Sequence, residues 1–166
     1  KMSKFKNINP TIIVIFGGTG DLAKRKLFPA FQNLFLDGRM SKKFQIIALG
    51  RAEKSDEEFR SYVLENIHTF SRKNGVSDPE TQKFLSHITY QSFDIDKEES
   101  YQILNDKINS IDQAFGERAN RLFYLSITPS FITKISSNIN KIGLAANAKQ
   151  DRIIIEKPFG YDKTSA

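Results

Sequence analysis

The chain has 166 residues, 39% hydrophobic and 27% charged, with a formal net charge of +6 and no cysteine. That is enough apolar sequence for one domain with its own core, and the missing cysteines exclude disulfides, thiol nucleophiles and cysteine-ligated metals. No apolar run is long enough to cross a membrane, and the basic residues are dispersed rather than gathered into a nucleic-acid module, so the positive balance suits phosphorylated small molecules better than nucleic acid.

Residues 1–10, KMSKFKNINP, read as a flexible tail. They lack the apolar core of a secretory signal, and with the absent cysteines this suits a cytoplasmic setting. Thr11-Ile12-Ile13-Val14-Ile15-Phe16 follows as an apolar, β-branched run without polar alternation. Such a run predicts a strand covered on both faces, as in parallel sheets. Gly17, Gly18 and Gly20 come next, and Asp21 opens a helical pattern with Leu27, Ala30, Phe31, Leu34 and Phe35 on one face. Strand, glycine turn and helix start in that order make a phosphate-binding element. Glycines let backbone approach a pyrophosphate, and the free N–H groups and dipole of the helix start attract its charge. The glycines fit G-x-G-x-x-A from Gly18 to Ala23, or G-x-x-G-D-L-A from Gly17. Glycine also serves ordinary turns, so the flanking strand and helix carry the assignment. The loop lacks the G-K-[ST] close of a Walker A motif.

Pro29 lies inside the first helical pattern and predicts a kink or a restart there. Asp37-Gly38-Arg39 is its stop signal. Phe44 to Gly50 is the second strand. Ser55 with Asp56, Glu57 and Glu58 then predicts a capped helix whose inner face is Phe59, Val63, Ile67 and Phe70. After a loop through Asn74-Gly75 comes a short helix to about Ser86, then a strand from Ile88 to Ile95. A helix from about Asp96 carries Tyr101, Leu104, Ile108 and Ile111 at helical spacing. Arg121 to Ile127 is the fourth strand, Thr128-Pro129-Ser130 begins a helix to about Ile142, and Arg152 to Glu156 is the fifth strand. Alternating strands and helices without hairpins predict an α/β fold, a Rossmann-like doubly wound parallel sheet with helices on both faces and right-handed crossovers. The expected layout is a tail over 1–10, a dinucleotide-binding domain over 11–160 and the start of a connection over 161–166.

In such sheets ligands lie beyond the carboxyl ends of the strands. The second strand is followed by Arg51, a cation for the 2′-phosphate of NADP or a solvated arginine at a strand end; Glu53 is the nearby acidic alternative that would suit NAD. Asp94 and Ile95 close the third strand where an adenine would lie, although Asp94 also suits a helix cap. Ser126-Ile127-Thr128-Pro129 closes the fourth, near a nicotinamide ribose or as a plain turn. The fifth ends in Glu156-Lys157-Pro158-Phe159-Gly160, where Lys157 meets phosphates or a substrate oxygen, or is half of a rim ion pair. His68 and His87 sit in helical segments without partners at ligand spacing, so no metal is expected.

GGTGDLAKRKL and RIIIEKPFG together resemble the amino-terminal, coenzyme-binding part of the glucose-6-phosphate 1-dehydrogenase family. The match runs through Gly17 to Lys26 and on into Leu27, Phe28 and Pro29, then Arg51, Ala119 to Ser126, and Glu156 to Gly160, in collinear order. Thr128-Pro129 departs from the two prolines of many members. The resemblance implies oxidation of glucose 6-phosphate at C1 with NADP⁺ to 6-phosphogluconolactone, the first step of the pentose phosphate pathway. It implies that Gly17, Gly18, Thr19, Gly20, Asp21, Leu22, Ala23, Lys24, Arg51, Asp94 and Ile95 bind coenzyme and that Lys157 touches both coenzyme and sugar phosphate. The family's R-I-D-H-Y-L-G-K block, its histidine base and its large β+α domain are expected downstream of Ala166, in a full-length homo-oligomer. The chain alone is therefore expected to bind NADP without turnover.

Three other readings compete with this one. Short-chain dehydrogenases and epimerases need Tyr-x-x-x-Lys, and none of the five tyrosines has a lysine four places on. A glucose–fructose oxidoreductase type shares an E-K-P block but not the D-L-A-K continuation of the loop. A non-catalytic NADP-binding sensor module stays open, because no general base is visible in these residues.

Overall fold

In a computed structural model of the chain, residues 9–70 and 78–156 are described. Five strands form one sheet: β1 Thr11–Phe16, β2 Phe44–Gly50, β3 Ile88–Ser92, β4 Asn120–Leu125 and β5 Asp151–Ile155. Their order is β3-β2-β1-β4-β5 and every pairing is parallel. A π turn, Ala23–Leu27, leads into helix α1, Phe28–Leu36. Four more helices follow: α2 Asp56–Phe70, α3 Asp78–Leu85, α4 Glu98–Phe115 and α5 Ile132–Ile142, the last entered through a 3₁₀ turn, Pro129–Phe131.

The solid apolar run of β1 is explained by its central place. Ile13 and Ile15 pack into a core with α1, α2 and α3, while Ile12, Val14 and Phe16 pack into a second core with α4 and α5. Helices therefore cover both faces, and the sheet is doubly wound in the Rossmann manner. The chain leaves β1 toward β2 and β3 on one face, then returns on the other face through β4 and β5. The switch point falls between β1 and β4.

Pro29 acts through the π turn. The Phe28 N–H reaches five residues back to the Ala23 carbonyl, and Pro29 then stands in the first turn of α1. Proline cannot donate an N–H and its ring crowds the carbonyl four residues earlier, so a widened turn relieves both problems. The wider turn also changes the phase of the helix. Phe28 and Phe31 are buried, and Ala30, expected on the inner face, is exposed. Gly38, at φ +71°, ends the helix, with the Arg39 N–H reaching back to the Leu34 carbonyl at 2.9 Å.

Ser55 and Glu58 form a reciprocal capping box on α2. The Glu58 N–H donates to the Ser55 hydroxyl at 3.1 Å and the Ser55 N–H donates to the Glu58 carboxylate at 2.8 Å. The same helix seals the open edge of the sheet. The Tyr90 N–H donates to Asp56 at 2.8 Å, and Arg60 donates to the Ile88 carbonyl at 2.8 Å, so two outward backbone groups of edge strand β3 are occupied. At the amino end of β5, Asp151 accepts both terminal nitrogens of Arg118, at 3.0 and 2.8 Å, and the Asn147 N–H at 2.8 Å.

Candidate functional site

The carboxyl ends of β1, β2, β3 and β4 open onto one cavity of about 570 Å³. Its wall includes Gly17, Thr19, Gly20, Arg51, Asp94 and Ile95, so residues scattered over 79 positions of sequence meet at the switch point. That is where an open α/β sheet binds ligands.

The glycine loop is pinned to its neighbours by backbone bonds. The N–H groups of Gly17 and Gly18 both donate to the Leu49 carbonyl, at 3.2 and 2.9 Å, and the Gly20 N–H donates to the Gly17 carbonyl at 2.9 Å. The glycines have separate tasks. Gly17 has φ +85°, and a Cβ there would stand 2.3 Å from the Ser126 carbonyl oxygen. Gly18 packs on β2, where a Cβ would lie 2.7 Å from the Ala48 methyl. Gly20 has no left-handed φ and lines the cavity beside the start of the helix. Tyr62 of α2 donates to the Thr19 carbonyl at 3.1 Å and holds the loop from its outer side.

The remaining loop residues stand off the cavity wall. Ala23 is fully buried in the core beside α1. Leu22 and Lys24 lie in the first helical turns, half-exposed. The Asp21 carboxylate is exposed and pairs with Arg25 at 2.7 Å, one turn along. Their backbone N–H groups open the helix, where no intrahelical carbonyl can reach the first of them. The main chain and helix dipole at this start suit an anion.

Arg51 is exposed at the cavity mouth, and its guanidinium has no hydrogen bond or ion pair among the described residues. Glu53 is not in the wall; it lies close enough to Tyr90 for its charge to raise that phenol's pKa, after burial. Asp94 is committed to local structure as well as to the wall. Its carboxylate accepts the Asp96 N–H at 2.9 Å, and its own N–H donates to the Ser100 hydroxyl at 3.0 Å. This turn ends β3 at Ser92 rather than at Ile95. Asp96, also in the wall, pairs with Lys134 of α5. Ser126, Ile127, Thr128 and Phe131 complete the wall from β4. Sequence reasoning did not single out Phe131, whose ring is 42% exposed; an aromatic directly after Thr-Pro-Ser at a strand end was the available signal.

Lys157 and the Pro158-Phe159-Gly160 block lie outside the described residues. Glu156 is exposed directly after β5, and its charge, after burial, raises the pKa of Tyr124. His87 is far from the cavity. Its Nδ1 pairs with the Phe44 carbonyl at 2.9 Å, at the start of β2, and its ring stacks on Phe44 at 3.9 Å. Among the described residues no three His, Cys, Asp or Glu side chains are grouped to hold a metal. None of the described helices is long and apolar enough to cross a membrane.

The wall fits an adenine dinucleotide. A glycine leaves space where a Cβ would intrude on the loop, the loop in the wall leads straight into a helix start, and a cation at the mouth has no hydrogen bond or ion pair among the described residues. The Ser126 hydroxyl in the wall is buried and has no hydrogen-bond partner among the described residues. The family model for the glucose-6-phosphate dehydrogenase NAD binding domain matches residues 14–166. The chain belongs to this family.

Curated family members align along most of its length. The glucose-6-phosphate 1-dehydrogenase of Bacillus subtilis is 37% identical over 155 residues, covering 93% of this chain and 30% of the relative. That of Leuconostoc mesenteroides is 36% identical over 154 residues, covering 92% of this chain and 31% of the relative. A solved glucose-6-phosphate dehydrogenase in complex with its substrate glucose-6-phosphate superposes with a TM-score of 0.79 at 33% identity, covering 96% of this chain and 32% of that one. The Mycobacterium avium enzyme superposes at 0.75 with 27% identity, covering 95% and 32%. The chain thus spans about a third of the length of these relatives, and the family and fold are those of a dinucleotide-binding domain.

Proposed function

We propose that this chain binds NADP⁺ at the switch-point cavity and forms the coenzyme half of an enzyme that oxidises glucose 6-phosphate at C1. The observation that carries the reading is the Arg51 guanidinium just after β2, which lines the same cavity as the glycine loop and has no hydrogen bond or ion pair among the described residues. The backbone of Gly17 to Lys24 and the helix start receive the pyrophosphate, and Gly20 lets it approach. Arg51 receives the 2′-phosphate, which a guanidinium holds through two parallel bonds. Asp94 and Ile95 border the adenine, and Ser126 to Thr128 border the nicotinamide side.

Bound NADP⁺ supplies the hydride acceptor. The substrate is a small phosphorylated sugar, and Lys157, two residues past the end of β5, is the cation that orients it and the coenzyme together. Residues 11–160 make up the dinucleotide-binding domain on this reading. The likeness to a structure solved with glucose-6-phosphate and to curated dehydrogenases supports the substrate class. Calorimetric titration of the chain with NADP⁺ and NAD⁺ tests the proposal. Tighter binding of NADP⁺ is expected, and no binding of either coenzyme would overturn it.

A further inference from the structure

The turn that carries Arg51 is held by the adjacent strand at three successive carbonyls. The Gly50 carbonyl accepts the Phe93 N–H at 2.8 Å, the Arg51 carbonyl accepts the Ser92 hydroxyl at 3.5 Å, and the Ala52 carbonyl accepts the Tyr90 hydroxyl at 2.6 Å. The backbone of Arg51 is therefore tied down on both sides while its guanidinium stays open. The shortest of the three bonds belongs to Tyr90.

Tyr90 is itself immobilised. Its side chain is 6% exposed, its ring stacks on Phe59 with centroids 5.0 Å apart, and its N–H is held by Asp56. Gly50 leaves it the space it needs: a Cβ on Gly50 would stand 2.7 Å from the phenol oxygen and 3.3 Å from the ring. Tyr90 does not line the cavity, so it reaches a bound coenzyme only through the turn. Burial, and then the charge of Glu53, push its pKa up, which keeps the hydroxyl a donor.

We infer that Tyr90 is a positioning residue for coenzyme selectivity: its bond to the Ala52 carbonyl fixes the Gly50–Ala52 turn and presents Arg51 to the 2′-phosphate of the dinucleotide. This rests on the role given to Arg51 above. A cation on a fixed turn loses less freedom on binding than one on a mobile turn, so the bond acts on the phosphate contact more than on the rest of the wall, to which Gly50 and Ala52 also belong. The pyrophosphate site, built from the glycine loop, is independent of it.

The test is calorimetric titration of the chain and its variants with NADP⁺ and NAD⁺, read as the ratio of the two Kd values, beside the melting temperature. Tyr90→Phe should lower the preference for NADP⁺ by about three- to tenfold, the scale of one hydrogen bond, with NAD⁺ affinity changed less than that of NADP⁺ and the melting temperature lowered by a few degrees at most. Gly50→Ala should lower the preference similarly, because its methyl displaces the phenol, and should also lower the melting temperature. Combining it with Tyr90→Phe, which removes the oxygen at 2.7 Å, should restore part of the melting temperature but not the preference. If Tyr90→Phe does not fold, Gly50→Ala decides by the same ratio. An unmutated chain without preference for NADP⁺ overturns the Arg51 reading and this one with it. A clear preference that survives both variants, or an equal loss for both coenzymes, overturns the positioning role and leaves Arg51 in place.

Discussion

A Cβ on Gly17 would stand 2.3 Å from the carbonyl oxygen of Ser126, so the first loop glycine touches the end of β4 with nothing between them. This contact closes the sheet at the switch point, and Gly17 also needs a left-handed φ of +85°. Gly20 needs neither; a Cβ there would meet the Gly17 carbonyl at 3.2 Å, a tight but adjustable contact. The two glycines should therefore fail differently. Gly17→Ala should destabilise the fold by at least about 2 kcal/mol, since left-handed backbone and a steric clash add. Gly20→Val should keep a cooperative melt and lose NADP⁺ binding, because its side chain occupies the approach to the pyrophosphate. Urea unfolding and calorimetry on the two variants check this; normal binding by Gly20→Val would remove the loop from the site.

Arg51→Ala should narrow the gap between NADP⁺ and NAD⁺. Removing one charge-assisted phosphate contact costs about 1.5–3 kcal/mol, or roughly ten- to a hundredfold in the Kd for NADP⁺, with NAD⁺ nearly unchanged. The loss should shrink as salt is raised, since an exposed guanidinium is screened. Titration at two ionic strengths measures both effects. Equal weakening for both coenzymes would assign Arg51 to the pyrophosphate instead.

The fold was legible where one physical cause dominates. A solid apolar run marked β1 because it is covered on both faces, and Ser55 with three acidic residues after it marked the start of α2, where the structure adds the reciprocal bond from Ser55 to Glu58. The cavity residues were legible because a parallel sheet gathers its strand ends. The end of β3 was misplaced because Asp94 turns the backbone before Ile95, and side-chain bonds of that kind compete with the strand without changing apolar pattern. Ala30 was assigned inward because a π turn adds a residue to the helix, which a fixed helical period cannot show. Tyr90 was invisible in the sequence, since its partner is a backbone carbonyl 38 residues away.

The pair at the amino end of β5 is structural. The Asp151 side chain is 1% exposed and is the one carboxylate paired with Arg118 among the described residues. Asp151→Asn should leave that guanidinium partly buried without its counter-charge, at about 3 kcal/mol of stability. NADP⁺ affinity of the folded variant should stay at the parent value, because the pair lies at the opposite end of the strand from the cavity. A matched pair of denaturation and binding curves checks both halves.

Glu58 makes part of the stability depend on pH. The backbone bond from Ser55, then its hydroxyl, and the charge of Lys54 lower the pKa of this carboxyl. A depressed folded value means that the contribution is complete above the unfolded carboxylate range and fades as pH falls through the folded one. Glu58→Gln should therefore be less stable than the parent near neutrality, and the difference should close below about pH 4. Melting temperatures across that window give the answer; a constant difference would mean that the charge plays no part in the cap.

The last expectation is that this chain binds NADP⁺ but does not reduce it. Oxidation at C1 sends a hydride to the coenzyme and requires the C1 hydroxyl to give its proton to a base within hydrogen-bond reach. The two histidines of the sequence are His68 and His87. His87 is tied to Phe44 at the amino end of the sheet, and His68 lies in the last described turn of a helix that starts beside the carboxyl ends and runs away from them. Neither can serve the cavity. In the role proposed for it, Lys157 meets phosphates, and a lysine so placed should stay protonated, which suits an orienting cation and not a base. A cavity walled by one domain also gives little positioning of a second reactant, and positioning is a large share of such a rate. NADPH absorbance with glucose 6-phosphate, measured on this chain and on one of the relatives' full length, is the comparison to make. Only the longer chain should turn over, and in it Lys157→Ala should reduce both sugar-phosphate affinity and rate. Steady, protein-dependent NADPH formation by the 166-residue chain would mean that a base stands among the cavity residues described here, with Asp94 and Asp96 the first to replace.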